Sequence, residues 1–519
     1  MARLHEHQGK ALLREHGVST PSGEVVASAS QAAAAARRIG GPVVLKAQAW
    51  ITGRASRGGI VFANDADEVE SHAEQLFTLT FGNFPVTELL VEQQITIQQE
   101  IFVSLSIDDA AQSPVLLLDF EGGSGIEQRA ENVHRLPVTA AAGNVDRAAV
   151  EALVAQAGID ASLQERVVDA IESVPHLARQ IEARSLEINP LVTTTDGRVL
   201  AVDCRITIDD YAVFRHSELG IEIARELDHP PTHLERVAYA VEQNDHRGTF
   251  YFAQLPTDES ESTRGLVGFH GAGGGGSMMS MDALSNAGFM LANFCDTSGN
   301  PSAAKVYRAA RIILAQPGLV GYFGSGSGVA SQEQFHSAYG LAKAFLELKL
   351  DIPAVLRLGG NSEERAIEIL AAVNEHVSAV VVGFGKDDTP KACAARFAEL
   401  VEAAKTAWEP RPRSLPEYVG HCDSFAIDAG RVWINVDQCD PEATAILIEY
   451  GGGIFRDAGG YPELAVTAED AASRDSELIA CEIECIRAGR PVLFVDLLLE
   501  GIDDDSGRPV GAFLEEKGG

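Results

Sequence analysis

The chain has 519 residues, a length that suits about three domains, each large enough for its own core. Its 45% hydrophobic and 22% charged residues are those of an ordinary globular protein. There is no run of about 18 apolar residues to cross a membrane. The net charge of −34 argues against nucleic acid as a partner, because phosphates would be repelled. Any anionic ligand therefore needs a local island of Lys, Arg, backbone N–H groups or metal. The seven cysteines are scattered, and M-A-R-L-H-E-H-Q at the start holds no apolar signal stretch. Both features point to a reducing cytoplasm.

The first ~20 residues predict a helix, with Leu4, Ala11, Leu12 and Leu13 close to one face. An α/β pattern follows: Val25 to Ala27, an Ala-rich helix to Arg38, then the strand Val43 to Lys46. A Gly/Arg/Ser loop leads to the strand Gly59 to Ala63, and Asp65 opens another helix. Strands are expected around Leu89 to Glu92, Ile101 to Ile107 and Val115 to Phe120, the last two as an antiparallel hairpin. Helices fill 147 to 181. Leu186 to Asp203 reads as two apolar arms around a T-D-G turn, which predicts a β-hairpin. This makes residues 1–225 one domain. Residues 226–264, with Pro230, Pro231 and Pro256, read as a connector. From Leu266 the grammar becomes strand, Gly loop, helix, with strands at Leu266 to Phe269, Phe289 to Phe294, Gly318 to Phe323, Ala354 to Leu358 and Val377 to Val382. That pattern predicts a parallel, doubly wound domain over 265–405. A Pro-rich linker at 406–418 precedes an acidic α+β extension over 419–519.

Three features carry chemistry. The hairpin pairs its arms, so Glu187, Asn189 and Asp203 converge, either as unrelated polar residues or as the hard oxygens that Mg²⁺ selects. Lys46 ends a strand before I-T-G-R-A-S-R-G-G (51–59), where backbone N–H groups and a fixed cation can hold phosphates. The loop lacks the G-K-[ST] of a Walker A motif, and an ordinary mobile loop has the same composition. Glu92 follows L-L-V, where a strand end can present backbone groups to an adenine edge, and Glu100, eight residues on, can accept from ribose hydroxyls; a solvated carboxylate is the alternative for each. The third feature is a pair of Gly-rich turns, G-F-H-G-A-G-G-G-G-S (268–277) and F-G-S-G-S-G-V-A-S (323–331). At the carboxyl ends of parallel strands these make anion sites or simply tight crossovers.

Taken together, L-H-E-H-Q-G-K-A-L-L, V-V-L-K-A-Q, T-G-R-A-S-R-G-G, L-L-V-E, E-G-G-x-x-I-E and L-E-I-N-P-L-V with V-D at 202–203 resemble the β subunit of succinyl-CoA synthetase. They equally resemble the amino-terminal half of ATP-citrate lyase. The resemblance runs over roughly residues 1–405. It implies an ATP-grasp domain, then a flavodoxin-like CoA-ligase domain. By position, Lys46, Gly53 and Arg54 would contact the phosphates of ATP, Glu92 would sit at the adenine hinge and Glu100 at the ribose. Asn189 and Asp203 would hold Mg²⁺. Glu187 would face a phosphohistidine carried by an α-type partner subunit, which would also bind most of the CoA; a hetero-oligomer is implied. Ala55 stands where the family loop has a second Gly.

In the second domain the resemblance implies that His270, Gly299, Gly324, Ser325, Gly326, Ser327 and Arg357 line the site of a small carboxylic acid. A-G-G-G-G-S and T-S-G-N-P-S lean toward the lyase branch. Leu358 replaces that branch's second Arg, so a tricarboxylate would lose a bidentate partner and a smaller acid is expected. His270 is either a substrate or packing residue, or a phosphoryl carrier. Cys422, Cys439, Cys481 and Cys485 fall in the extension, as buried thiols or metal ligands. The expected function is a β-type subunit of an ADP-forming carboxylate–CoA ligase. The alternatives are a citrate-cleaving subunit and a non-catalytic scaffold.

Overall fold

The computed structural model describes residues 2–51, 53–122, 133–226, 228–243, 249–256, 264–326, 328 and 330–405, with six short strands between 425 and 509. The chain divides into two units, Met1–Pro231 and Thr232–Gly519.

In the first unit, a four-stranded antiparallel sheet has the order Gly23–Val26, Leu89–Gln93, Val43–Ala47, Ile60–Ala63. Alternation decides its faces. Val43, Leu45, Ala47, Leu89 and Val91 join a core under the helices Ala29–Ile39 and Ala66–Phe77. The intervening Lys46 and Glu92 therefore share the opposite face, and both are buried. Both covering helices begin on side-chain caps: Ser28 accepts from Gln31 N, and Asp65 accepts from Asp67 N and Glu68 N.

A second, seven-stranded sheet places Ala183–Thr194 between Cys204–Ile208 and Ile97–Asp108. Helix Ala161–Gln180 buries Leu163, Val167, Ile171 and Val174 in the core on this sheet. The predicted hairpin is present, with Leu191 opposite Ala201 and Thr193 opposite Val199. Its return arm breaks at Val202–Asp203 and resumes as Cys204–Ile208, opposite Ala183–Ile188. At the break Asn189 N still donates to Asp203 O at 3.1 Å.

The chain start joins the same sheet, with Ala2 opposite Ile208. Helix Glu6–Glu15 then buries Glu6, Gly9, Lys10 and Leu13, the i, i+3, i+4, i+7 stripe that is ordinarily apolar. Gly9 permits a close approach: a Cβ there would lie 2.7 Å from Cys204 Sγ.

The second unit carries the parallel sheet. Its order is Asn293–Asp296, Leu266–Ala272, Leu319–Gly326, Ala354–Arg357, Val381–Phe384, the 2-1-3-4-5 flavodoxin-like arrangement. An antiparallel edge strand, Tyr251–Gln254, precedes Asn293–Asp296. The expected connector is thus partly structured. Helix His233–Gln243 buries Val237, Ala238 and Val241, and Phe250 and Phe252 enter the same core. The expected strand Phe289 to Phe294 is split into Met290–Leu291 and Asn293–Asp296. The extension's cysteines lie outside the described residues.

Candidate functional site

Six charged side chains of the first unit meet where helix Glu6–Glu15, the face of the small sheet carrying Lys46 and the Val202–Asp203 break come together. Lys46 Nζ donates to Glu6 Oε1 (2.8 Å) and to Val202 O (2.7 Å) and forms an ion pair with Glu92 Oε2 (3.0 Å). Lys10 Nζ reaches both oxygens of Glu92 (2.7 and 2.6 Å) and Glu6 Oε1 (2.7 Å). Arg54 Nη2 donates to Glu6 Oε2 (2.6 Å) and to Asp203 (3.1 and 3.2 Å), while Nη1 holds Ala47 O (3.0 Å). Three cations and three carboxylates balance.

Burial dominates the electrostatics. It would raise the Glu6 carboxyl, but Lys46, Lys10 and Arg54 overcome it and hold Glu6 well below the usual carboxylate range. Burial opposes the charge on Lys46, and Glu6, Glu92 and Asp203 restore it, so Lys46 stays protonated. Asp203 behaves differently: burial and then the Glu6 charge push it up to about 6, against Arg54, Lys46 and Lys10. About a third of its side chain, 35%, meets solvent, so it is the accessible carboxylate of the set.

Asn189 faces Asp203 across the hairpin break. Its Nδ2 makes one long contact to Glu187 Oε1 (3.4 Å), and its buried Oδ1 has no hydrogen-bond partner. An orphaned buried amide oxygen is costly. Here it lies on the arm opposite a carboxylate. These hard oxygens fit Mg²⁺, which takes one or two protein ligands and keeps several waters.

The remaining nucleotide candidates are placed as follows. Gly53 (φ 69°) precedes a short turn, Ala55–Arg57, with Ser56 Oγ donating to Gly53 O. Glu92 lies inside a strand with its carboxylate turned to Lys10, so its side chain is directed into the ion cluster. Glu100 lies on the strand Ile97–Asp108, opposite Val192, against the backbone of Gly122. His5 stacks on Trp50 with ring centroids 4.8 Å apart, and burial lowers it to about 4 with help from His7 and Arg54. Sequence reasoning quoted Glu6 and Lys10 inside a motif but gave them no role. Their spacing of four on a predicted helix was the available signal.

In the second unit, His270 is part of the strand Leu266–Ala272 rather than a loop. Its Nδ1 pairs with Tyr322 Oη (2.5 Å) and its Nε2 with Thr297 Oγ1 (3.1 Å). Burial lowers it to about 4. Both ring nitrogens are used internally. Gly324, Ser325 and Gly326 likewise close a strand, and Ser325 Oγ bonds Ser280 Oγ at 2.7 Å. The next helix begins only at Phe335, so this turn does not open a helix; the turn at 273–274 does. Ser327 lies outside the described residues, and Gly299 sits in an exposed turn. Arg357 donates to three carbonyls, of Asp388, Gly326 and Lys386. That uses three of the five donors of a guanidinium.

Comparison with known proteins identifies the family and the fold. An ATP-grasp domain family matches residues 3–193. The succinate–CoA ligase [ADP-forming] subunit beta of Rubrobacter xylanophilus is 31% identical over 373 residues, covering 71% of this chain and 92% of that protein. The [GDP-forming] subunit beta of Thermus thermophilus is 32% identical over 372 residues, covering 71% and 93%. Among solved structures, ATP citrate lyase from Methanothrix soehngenii in complex with citrate and coenzyme A shares the fold. Its TM-score is 0.60 at 17% identity, with 77% of this chain and 99% of that chain covered. On the strength of the two sequence relatives, matched over nearly their whole length, this chain belongs to the succinate–CoA ligase β-subunit family.

Proposed function

We propose that this chain is the nucleotide-handling β-type subunit of a carboxylate–CoA ligase, an acid–thiol ligase, working with an α-type partner in a hetero-oligomer. The nucleotide site lies in residues 1–225 and the acyl site in 265–405. The observation that carries the reading is the orphaned Asn189 Oδ1 on the arm whose backbone bonds that of Asp203, itself paired with Arg54. A Mg²⁺ there would neutralise phosphate charge, the main requirement of phosphoryl transfer. Arg54 and Lys46 align the terminal phosphate, and backbone N–H groups around Gly53 hold its oxygens. Glu187, on the same arm as Asn189, faces the partner's carrier histidine and orients it. The phosphoryl group then passes to a small carboxylic acid in the second unit, where Arg357 can spend its two remaining donors on a carboxylate. The resulting mixed anhydride makes the acid a competent acyl donor for CoA. His270 takes no part in carrying phosphate, since both ring nitrogens are held.

The test is nucleoside diphosphate release by the chain co-expressed with its partner, screened against small mono- and dicarboxylates with ATP and GTP. Asp203→Ala is expected to abolish release, at least a hundredfold, with an intact circular dichroism spectrum. Unchanged turnover in that variant removes the metal assignment. If the wild-type complex has no affinity for a magnesium–nucleotide, the scaffold reading replaces the enzyme.

A further inference from the structure

Lys46 is only 3% exposed; its ammonium donates to Glu6 Oε1 and Val202 O and forms an ion pair with Glu92 Oε2 at 3.0 Å. An ammonium has three donors and no more. To meet a phosphate, Lys46 has to let go of at least one of these partners. Releasing a buried carboxylate without a counter-ion would be prohibitive. The cluster removes that obstacle. Lys10, 1% exposed, contacts the same two carboxylates: both oxygens of Glu92 and Oε1 of Glu6. Glu6 Oε2 is held by Arg54. With Lys46 turned away, every oxygen of Glu6 and Glu92 keeps a cation. With Lys10 missing, Glu92 has Lys46 as its one cation among the described residues.

We infer that Lys10 is a positioning residue of the nucleotide site: it is the counter-ion that stays behind with Glu6 and Glu92, leaving Lys46 free to turn to phosphate. The inference rests on the proposed reading that Lys46 meets phosphate. Lys10 itself touches no nucleotide; it sets how cheaply Lys46 can change partner. The internal ion pairs and the ligand's ion pairs are alternatives, and Lys10 is common to both arrangements.

The test is a double-mutant cycle on the full-length chain with its co-expressed partner, reading Mg–ATP affinity by calorimetry at pH 8. Lys10→Met is expected to raise Kd at least tenfold, because Lys46 becomes the sole counter-ion of Glu92. In a Glu92→Gln background the same change is expected to alter Kd less than threefold, because no charge is left to strand. A merely structural Lys10 would shift the melting temperature and leave this coupling at zero. Wild-type affinity in Lys10→Met, or a tenfold loss that persists in the Glu92→Gln background, overturns the inference. If Lys10→Met does not fold, a tenfold loss in the double variant relative to Glu92→Gln still overturns the inference. Failure of the wild type to bind Mg–ATP removes the nucleotide reading itself, and this inference with it. Binding by the wild type with no effect of Lys10→Met removes the inference alone.

Discussion

Asn189 and Asp203, the proposed metal pair, owe their placement to a hairpin break. Regular pairing would engage the backbone and leave the side chains to alternate; the interruption at Val202–Asp203 sets an amide oxygen and a carboxylate on facing arms. His270 shows the opposite outcome, a reactive residue type sealed in a strand. Its pKa of about 4 makes it a source of acid sensitivity. The unfolded value is near 6.5, so the unfolded chain binds the extra proton first as pH falls. Stability from a neutral His270 is therefore fully present above pH 6.5 and is lost as pH falls from 6.5 toward 4. The loss is on the order of 3 kcal/mol. His270→Asn is expected to flatten the dependence of the urea midpoint over that window. A profile as steep as the wild type's would place the sensitivity elsewhere.

Among the elements, helix Glu6–Glu15 depends on one missing side chain. Gly9 faces Cys204 and Ile206, and a methyl group would sit 2.7 Å from a sulfur atom. Gly9→Ala is expected to cost about 1–3 kcal/mol by overpacking, despite the better helix propensity of Ala. It should also weaken nucleotide affinity by displacing Glu6 and Lys10. Thermal denaturation and nucleotide titration read the two effects; a stabilised variant would contradict the packing account. Elements whose signal is local were legible in the sequence. The V-V-L-K strand, the T-D-G hairpin and the repeated strand–Gly–helix grammar follow from periodicity and turn chemistry. The helix His233–Gln243 was not read, because neighbouring prolines and charges masked its short stripe of Leu234, Val237, Ala238 and Val241. Gly324 and Gly326 read as a loop, yet a Cβ at Gly324 would meet Leu356 at 2.6 Å, so strand packing explains that glycine. Lys46, Gly53, Arg54, Asn189 and Asp203 were picked out by motif. The part played by Glu6 and Lys10 was not: their i, i+4 spacing marks a pair on one helix, but their further partners Lys46 and Glu92 lie 40 and 82 positions away.

For the whole molecule, the balance of charge matters most. The chain carries −34, while the ion cluster is neutral, three cations against three carboxylates. An approaching nucleotide therefore meets net repulsion until it is close. The Debye length falls from about 30 Å at 0.01 M salt to about 8 Å at 0.15 M. Nucleotide association is thus expected to speed up, by about threefold or more, as salt is raised over that range. Stopped-flow rates that fall with salt would show that local cations control the approach. The long reach of the cluster also has a consequence for biosynthesis. Lys46 and Val202 are 156 positions apart, and Arg54 and Asp203 are 149 apart. During translation the early cations emerge long before their hairpin partners. Until then the first helix has the ion partners of Glu6 and Lys10 but lacks Cys204 and Ile206, against which Gly9 packs. Nascent chains halted before Ile208 should therefore remain clients of chaperones, however well the small sheet has formed.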